Sequence, residues 1–496
     1  MNRLKIWFYV AIVFFISASL FVSCIDEESF ADGSNVSLSF SMDTLSFDTV
    51  FTQMGSITKQ VLIYNKEDKP VKINSVRLGG GSASYFRLNV DGDTALVAHD
   101  VEIGAKDSIF IFVRVTINPV NQNNPLLISD SIIIAFNSKY QCIQLQAYGQ
   151  DAYYHIPTDT LPVWVVNNPK PMPFSLAQNA DGVVRSGNIL QMKANKPHVI
   201  IGTFAVDSSF TLEIESGAKL YFANGGSLLV YTYGTLKAHG GLNDPVVFEG
   251  VRREASYANT AGQWNGIILW VGSRNNELDY CIIKNAVTGI EIDSCVTANP
   301  TLKLKNTRIE NMTFAGIFSQ GGHVESENTI VQNCGSYCVA LDVGGEYKFT
   351  HCTFENSWSG QQLSKSALYM KNYHAANGVI YPRPITSAQF LNTIIYGSKQ
   401  DEILIDKYEE SSILNYTFVN CLIKSATLNG QDANITSSVF NSDPLFVNIL
   451  ERDLHVLPGS PAIGGGDATI SYTVPYDLEG NWRGNPPTIG ALEFVP

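Results

Sequence analysis

The sequence predicts an all-β chain: an N-terminal β-sandwich, then a parallel β-helix solenoid closed by a C-terminal cap. Three observations carry this. Seven-residue segments recur through the middle of the chain with like residues at like positions. Short alternating runs separated by turn residues fill residues 34–150. No stretch sustains a 3.6-residue period, which excludes the helical solenoids.

The repeat comes first because it is the strongest signal. Cys281, Thr307, Thr329, Cys352, Thr393 and Cys421 share one position. Two residues later stand Ile283, Ile309, Val331, Phe354, Ile395 and Ile423. Four residues later stand Asn285, Asn311, Asn333, Asn356, Gly397 and Ser425. A strand of period two sends the first two sets to one side, the interior. Stacking coils about 4.8 Å apart aligns like residues into ladders, where amides bond along the stack. Asn also tolerates the left-handed angles a turn needs. A second strand follows at Gly289-Ile290, Gly316-Ile317 and Cys338-Val339. The spacing is 22 to 28 residues except between Cys352 and Thr393, where 41 residues leave an insertion or an extra turn. The solenoid spans 186–445, about ten coils and about 50 Å long. A right-handed coil is the usual hand. Gly217, Gly234 and neighbouring short strands punctuate its start. That opening resembles the first coils of the pectate-lyase-like right-handed β-helix superfamily. Gln263-Trp264-Asn265-Gly266-Ile267-Ile268 is similar to a coil-opening motif of bacterial β-helix surface proteins.

Seven runs in 34–150 read as strands: Val36–Phe40, Gln60–Asn65, Val71–Leu78, Tyr85–Val90, Ser108–Ile117, Ser131–Phe136 and Cys142–Ala147. Seven short strands imply a sandwich. The region resembles the Ig-like modules at the start of bacterial surface proteins, which implies a spacer or contact role. Asp91 and Asp93 around Gly92 read as a solvated turn. Residues 151–185 carry Pro157, Pro162, Pro169, Pro171 and Pro173, and read as an extended, stiff connector.

Residues 1–23 have the order of a secretory signal: basic Arg3 and Lys5, an apolar run from Ile6 to Val22, then small Ser23. Leu20-Phe21-Val22-Ser23-Cys24 resembles a bacterial lipobox, with Phe21 a departure from the usual Leu. The resemblance implies acylation of Cys24, so that lipid ties the chain to a membrane. Residues 24–33 then form a tether. Its acidic Asp26-Glu27-Glu28 resembles the surface-export signal of Bacteroidota lipoproteins, which implies an outer-membrane protein facing the exterior. Seven cysteines remain after Cys24, and their spacing fits neither a disulfide framework nor a zinc site.

Residues 446–496 read as the capping segment. Asp443-Pro444-Leu445-Phe446, Pro458-Gly459-Ser460-Pro461, Asp477-Leu478-Glu479-Gly480-Asn481-Trp482-Arg483 and Ile489-Gly490-Ala491-Leu492-Glu493 stand in order. The series resembles the choice-of-anchor Q ending of bacterial β-helix proteins. Physically, the segment is expected to hide the edge of the last coil, with Arg483 and Glu493 as a pair.

Two places carry candidate chemistry. The 357–388 insertion holds Trp358, Tyr369, Tyr373 and Tyr381, aromatics able to stack on sugar rings. It also holds Lys371, His374 and Arg383, able to pair with acidic sugars or move a proton. The bland alternative is that the aromatics pack the insertion on the wall. The second place is Asp401-Glu402 with Asp406, as an acid–base pair or calcium ligands. Strand alternation puts Asp401 and Glu402 on opposite faces, which favours salt bridges to Lys399 or Lys407. His351 falls in the row of Asn306, Asn328, Asn392 and Asn420 and reads as a polar ladder member. The catalytic motifs of the polygalacturonases and pectate lyases are missing.

Acidic residues outnumber basic ones 46 to 33, a net charge of −13, which argues against a nucleic-acid partner. No resident cofactor is expected apart from the calcium alternative. The leading expectation is therefore a lipid-anchored surface protein for binding or display, toward glycans. A polysaccharide lyase or glycoside hydrolase is the second expectation, and requires a groove with converging acidic and basic groups near 357–407. A purely structural envelope protein, or one contacting other surface proteins, is the third. A row of aromatics along one face favours binding; a featureless wall favours structure.

Overall fold

A computed structural model describes residues 29–118, 126–165, 168–255, 257–293, 299–358, 360, 365–408 and 413–496. The leader and Cys24 lie outside these residues. The chain forms two compact units that divide between Gln150 and Asp151.

The first unit is a two-sheet sandwich. Strands Leu38–Phe40, Lys59–Asn65, Ser108–Val115 and Phe86–Val90 make one sheet. Thr44–Phe51, Lys139–Gln150, Leu126–Phe136, Val71–Leu78 and Val97–Ile103 make the other. Alternate residues such as Val61, Ile63, Ile111, Ile73, Ile132 and Leu145 are fully buried between them. Two strands were not foreseen. Thr44–Phe51 carries a bulge between Phe47 and Thr49 that breaks the period of two. Val97–Ile103 is an edge strand with exposed His99 and Asp100, so it lacks an apolar signature.

The second unit is a right-handed parallel β-helix. Each central coil has three strands, one more than the sequence resolved. Landmark strands such as Cys281–Lys284, Arg308–Met312, Ile330–Cys334 and Thr353–Asn356 stack on one wall. Thr288–Ile292, Ala315–Gln320, Tyr337–Asp342, Leu368–Lys371 and Ile403–Asp406 stack on a second. Asn276–Asp279, Leu302–Lys305, His323–Glu327 and Gly345–Thr350 belong to the third, an eleven-stranded sheet. The landmark residues Cys281, Thr307, Thr329, Cys352, Thr393 and Cys421 are all buried. Inside, Phe349, Phe390 and Phe418 stack at 5.3 and 4.8 Å between centroids.

The ladders set the corners. Tyr280, Asn306, Asn328, His351, Asn392 and Asn420 all adopt φ between +44° and +52°. Asn285, Asn311 and Asn333 form the next corner, also left-handed. Asn333 donates to Asn311 at 2.9 Å and Asn311 to Asn285 at 2.6 Å. Asn356 leaves this ladder: its side chain donates to the carbonyls of Ser336 and Lys365 instead. The 41-residue gap is an insertion and not an extra coil, because Thr353 pairs directly with Ile394. It carries an antiparallel hairpin, Tyr373–Ala376 with Val379–Pro382.

The 151–185 stretch is not a free connector. Tyr153–His155 pairs with His198–Ile200, and the hairpin of Asp159–Val165 and Asn168–Leu176 joins the same sheet. Proline is compatible with a two-stranded ribbon because half of each strand's N–H groups face away from the partner.

The C-terminal segment runs back along the landmark wall, from the last strand at Val439 to the coil of Ile330. The wall offers outward Ile330, Ile394 and Leu422, which pack against Leu454, Leu478, Ala462, Ile489 and Leu492. The corner amides bind the segment too: Asn328 donates to Tyr476 O, Asn392 to Asp467 O and Asn420 to Gly465 O. Gly490, at φ +106°, lies so close that a Cβ would meet Ile394 and the Thr353 hydroxyl at 2.8 Å. The expected pair forms, with Arg483 and Glu493 3.6 Å apart and nearly inaccessible. Arg483 also donates to the Asn328 amide oxygen at 2.7 Å, which ties pair and ladder together.

Candidate functional site

Among the described residues the segment packs on the landmark wall. On the eleven-stranded sheet the outward row reads Glu213, Lys237, Glu277, Lys303, Glu325 and Lys348 in register. Opposite charges alternate from coil to coil, as stacking alone demands. The remaining wall differs in kind. Its register aligns Ile268, Glu291, Phe318, Ala340, Tyr369 and Leu404 in one outward row. Gln320, Asp342, Lys371 and Asp406 stand beside them, with Asp293 at the end of its strand.

This wall carries an aromatic cluster outside the core. Phe314, Phe318 and Tyr369 pack half-buried over Ala315, Tyr337 and Ala340. Tyr337 stacks on Tyr369 at 5.0 Å, and Phe318 meets Phe314 edge-on at 5.3 Å. Lys365 sits 5.2 Å above the Tyr337 ring. Trp270, 41% exposed, directly follows the strand Gly266–Leu269 of this wall. Polar groups frame the rings. Tyr369 and Tyr373 donate their hydroxyls to Asp406, at 3.2 Å and 3.0 Å. Burial, then the Asp406 charge, holds the Tyr369 phenol above its ordinary pKa, so it stays a donor. Lys371 pairs with Asp342 at 2.5 Å. Burial raises the Glu291 and Asp293 carboxyls above their usual range, and Asp293 adds to the rise at Glu291.

The expected site residues therefore divide. Tyr369, Lys371, Tyr373 and Asp406 come together. His374, Tyr381 and Arg383 do not: His374 and Tyr381 stack on each other on the exposed hairpin, and Arg383 donates to the Pro382 carbonyl. Trp358 is half-buried. Asp401 and Glu402 bond separate sets of groups. Asp401 accepts from Ser425 Oγ, Thr427 Oγ1 and the Ala426 and Thr427 N–H groups, which anchors a turn. Burial pushes its pKa up, but those bonds outweigh it and hold the carboxyl below its usual value. Glu402 is fully buried and accepts from the Lys399 and Ala367 N–H groups. Burial raises it to about 7. His351 is a ladder member: its Nε2 lies 3.0 Å from Asn392 and 2.8 Å from Ser471. Burial, then Arg483, keeps it neutral.

Sequence reasoning missed Glu291, Asp293, Phe318, Tyr337 and Asp342. The signal was present. Counting outward from Gly289-Ile290, Gly316-Ile317 and Cys338-Val339 places Glu291, Phe318 and Ala340 in one row. Among the described residues no three His, Cys, Asp or Glu side chains are grouped to hold a metal ion.

The architecture defines a right-handed parallel β-helix protein. A family model described as "Right handed beta helix region" matches residues 251–354. No curated protein matches the chain. Among solved structures, the catalytic unit of a thermostable GH87 α-1,3-glucanase from Streptomyces thermodiastaticus strain HF3-3 is 10% identical. That alignment covers 77% of this chain and 87% of that one, with a TM-score of 0.25. A family 123 glycoside hydrolase from Clostridium perfringens is 9% identical over 25% of this chain, with a TM-score of 0.19, and the chain spans 29% of its length. A PapD-like domain of human CEP192 is 10% identical over 23% of this chain and 84% of that one, with a TM-score of 0.16.

Proposed function

We propose that the protein is a lipid-anchored outer-membrane protein, held through Cys24 and facing outward, whose aromatic wall binds glycan chains. The observation that carries this is the Tyr337–Tyr369 stack with Phe318 on an outer wall of the solenoid. Core packing does not require aromatic rings there, because the interior is already filled by its own Phe ladder. Sugar rings present C–H faces to aromatics and hydroxyls to carboxylates, and Asp342, Asp406 and the tyrosine hydroxyls surround the rings. Affinity electrophoresis of the intact protein in mild detergent, through gels loaded with soluble polysaccharides, tests it. Retardation by at least one polymer is expected; unchanged mobility across a panel of neutral, acidic and amino polymers overturns it.

One observation supports a hydrolase as the second reading. Asp293, raised by burial, sits two strands from Asp342, roughly 9.6 Å at about 4.8 Å per strand. That backbone spacing is just beyond the ~6.5–9.5 Å between carboxyl groups used for inversion, a difference that side-chain rotation spans. Release of new reducing ends with inverted configuration supports it, and no release from any bound polymer sinks it.

A further inference from the structure

The wall that carries the aromatic cluster also carries a charge pattern. Four carboxylates face outward on it: Glu291, Asp293, Asp342 and Asp406. Lys371 is already paired with Asp342, and Lys365 lies against the Tyr337 ring. The remaining cationic candidates of the insertion stand elsewhere, with Arg383 on the exposed hairpin beside Pro382. The wall thus presents acceptor-rich acidic groups around the rings. The opposite wall balances each charge with its neighbour.

Resting on the glycan-binding reading above, we propose that the aromatic wall selects a polymer of amino sugars and rejects uronic-acid chains. A protonated sugar amine at Asp406, which accepts two tyrosine hydroxyls, or in place of Lys371 at Asp342, gains a charge-assisted hydrogen bond, while the ring packs on Tyr369 and Phe318. A uronate carboxylate beside Asp406 meets like charge, with Lys371 held by Asp342 and Lys365 set over the Tyr337 ring, which raises its cost of burial. Neutral chains keep the stacking and lose the charge term. The order of affinity is therefore amino polymer, then neutral polymer, then uronate.

The test uses the intact protein in mild detergent at pH 6 with three probes: deacetylated chitosan, hydroxyethyl cellulose and polygalacturonate. Because the whole chain is anionic, adventitious attraction to chitosan needs its own control. The pair Asp342→Asn/Asp406→Asn removes two charges from the aromatic wall. The pair Glu325→Gln/Glu346→Gln removes two from the charged wall. The first pair weakens chitosan binding about tenfold and the second leaves it unchanged. Thermal midpoints of both pairs check that the fold survives. Equal loss in both pairs, or none in the first, overturns the selection. Polygalacturonate held more tightly than the other two overturns it while leaving the glycan reading standing. Failure of all three probes overturns both.

Discussion

The charged and aromatic walls are built on the same coils with the same strand spacing, yet they solve different problems. In the charged wall Glu277, Lys303, Glu325 and Lys348 alternate in sign, and a second row pairs Lys305 with Glu327 at 2.8 Å. An in-register parallel stack would otherwise pile like charges on one another. On the aromatic wall the polar row obeys the same rule, with Gln320 between Asp293 and Asp342 and Lys371 between Asp342 and Asp406, but the row beside it is apolar and aromatic apart from Glu291. This wall also exposes ring surface that folding does not need. That exposed ring surface, which stacking does not require, is the observation on which the glycan-binding proposal rests. The landmark wall teaches the converse. Its outward Ile330, Ile394 and Leu422 look like a docking surface until the C-terminal segment covers them.

The comparison can be broken or sharpened by mutation. The largest effect is expected in the shared interior. Phe390→Ala removes the centre of the Phe ladder and costs about 3–5 kcal/mol by denaturant unfolding. It lowers stability without preference for either wall. Arg483→Ala leaves Glu493 buried without its partner and costs about 3 kcal/mol. Limited proteolysis then finds residues 446–496 released first, and the landmark wall uncovered.

Acid comes next. His155 and His198 are buried in contact, Nε2 to Nδ1 at 2.8 Å. Burial lowers them to about 3 and about 4 from an ordinary 6.5. Above pH 6.5 they are neutral folded or unfolded. As pH falls below that, only the unfolded chain takes up their protons, and stability drops until about pH 3. Denaturation midpoints of wild type should fall across this window more steeply than those of His155→Phe. An equal slope contradicts the assignment.

Lys303→Glu places three acids in a row with Glu277 and Glu325 and costs about 1 kcal/mol, less at high salt. Glycan binding does not change. Tyr369→Ala gives the mirror result: it weakens binding about tenfold with a smaller effect on the charged wall.

Much of this architecture was legible because a stacked coil writes its interior into the sequence. The Cys/Thr and Ile positions repeat because each must fit one slot against an identical slot above and below. Pairing of Ile282 with Arg308, Arg308 with Ile330 and Ile330 with Thr353 follows the aligned segments residue for residue. Outward residues carry no such constraint, so Phe318, Tyr337 and Asp342 do not repeat and were lost. Asp401 and Glu402 misled for another reason. Two adjacent carboxylates look like chemistry, but one anchors the Ser425–Thr427 turn and the other fills the space that Gly397 leaves open. Glu402 Oε1 would lie 2.4 Å from a Cβ at Gly397. The path of the C-terminal segment is not legible, because its sequence is short-turned and aperiodic and nothing in it states which wall it meets.

The most direct test of the account is isothermal titration of a soluble amino or neutral polysaccharide into wild type and into Phe318→Ala/Tyr369→Ala, with Lys303→Ala/Lys348→Ala as the charged-wall control. The account predicts binding by wild type and by the control, and none by the aromatic-wall variant. Equal binding by all three would place any sugar contact elsewhere and remove the aromatic wall's claim to function.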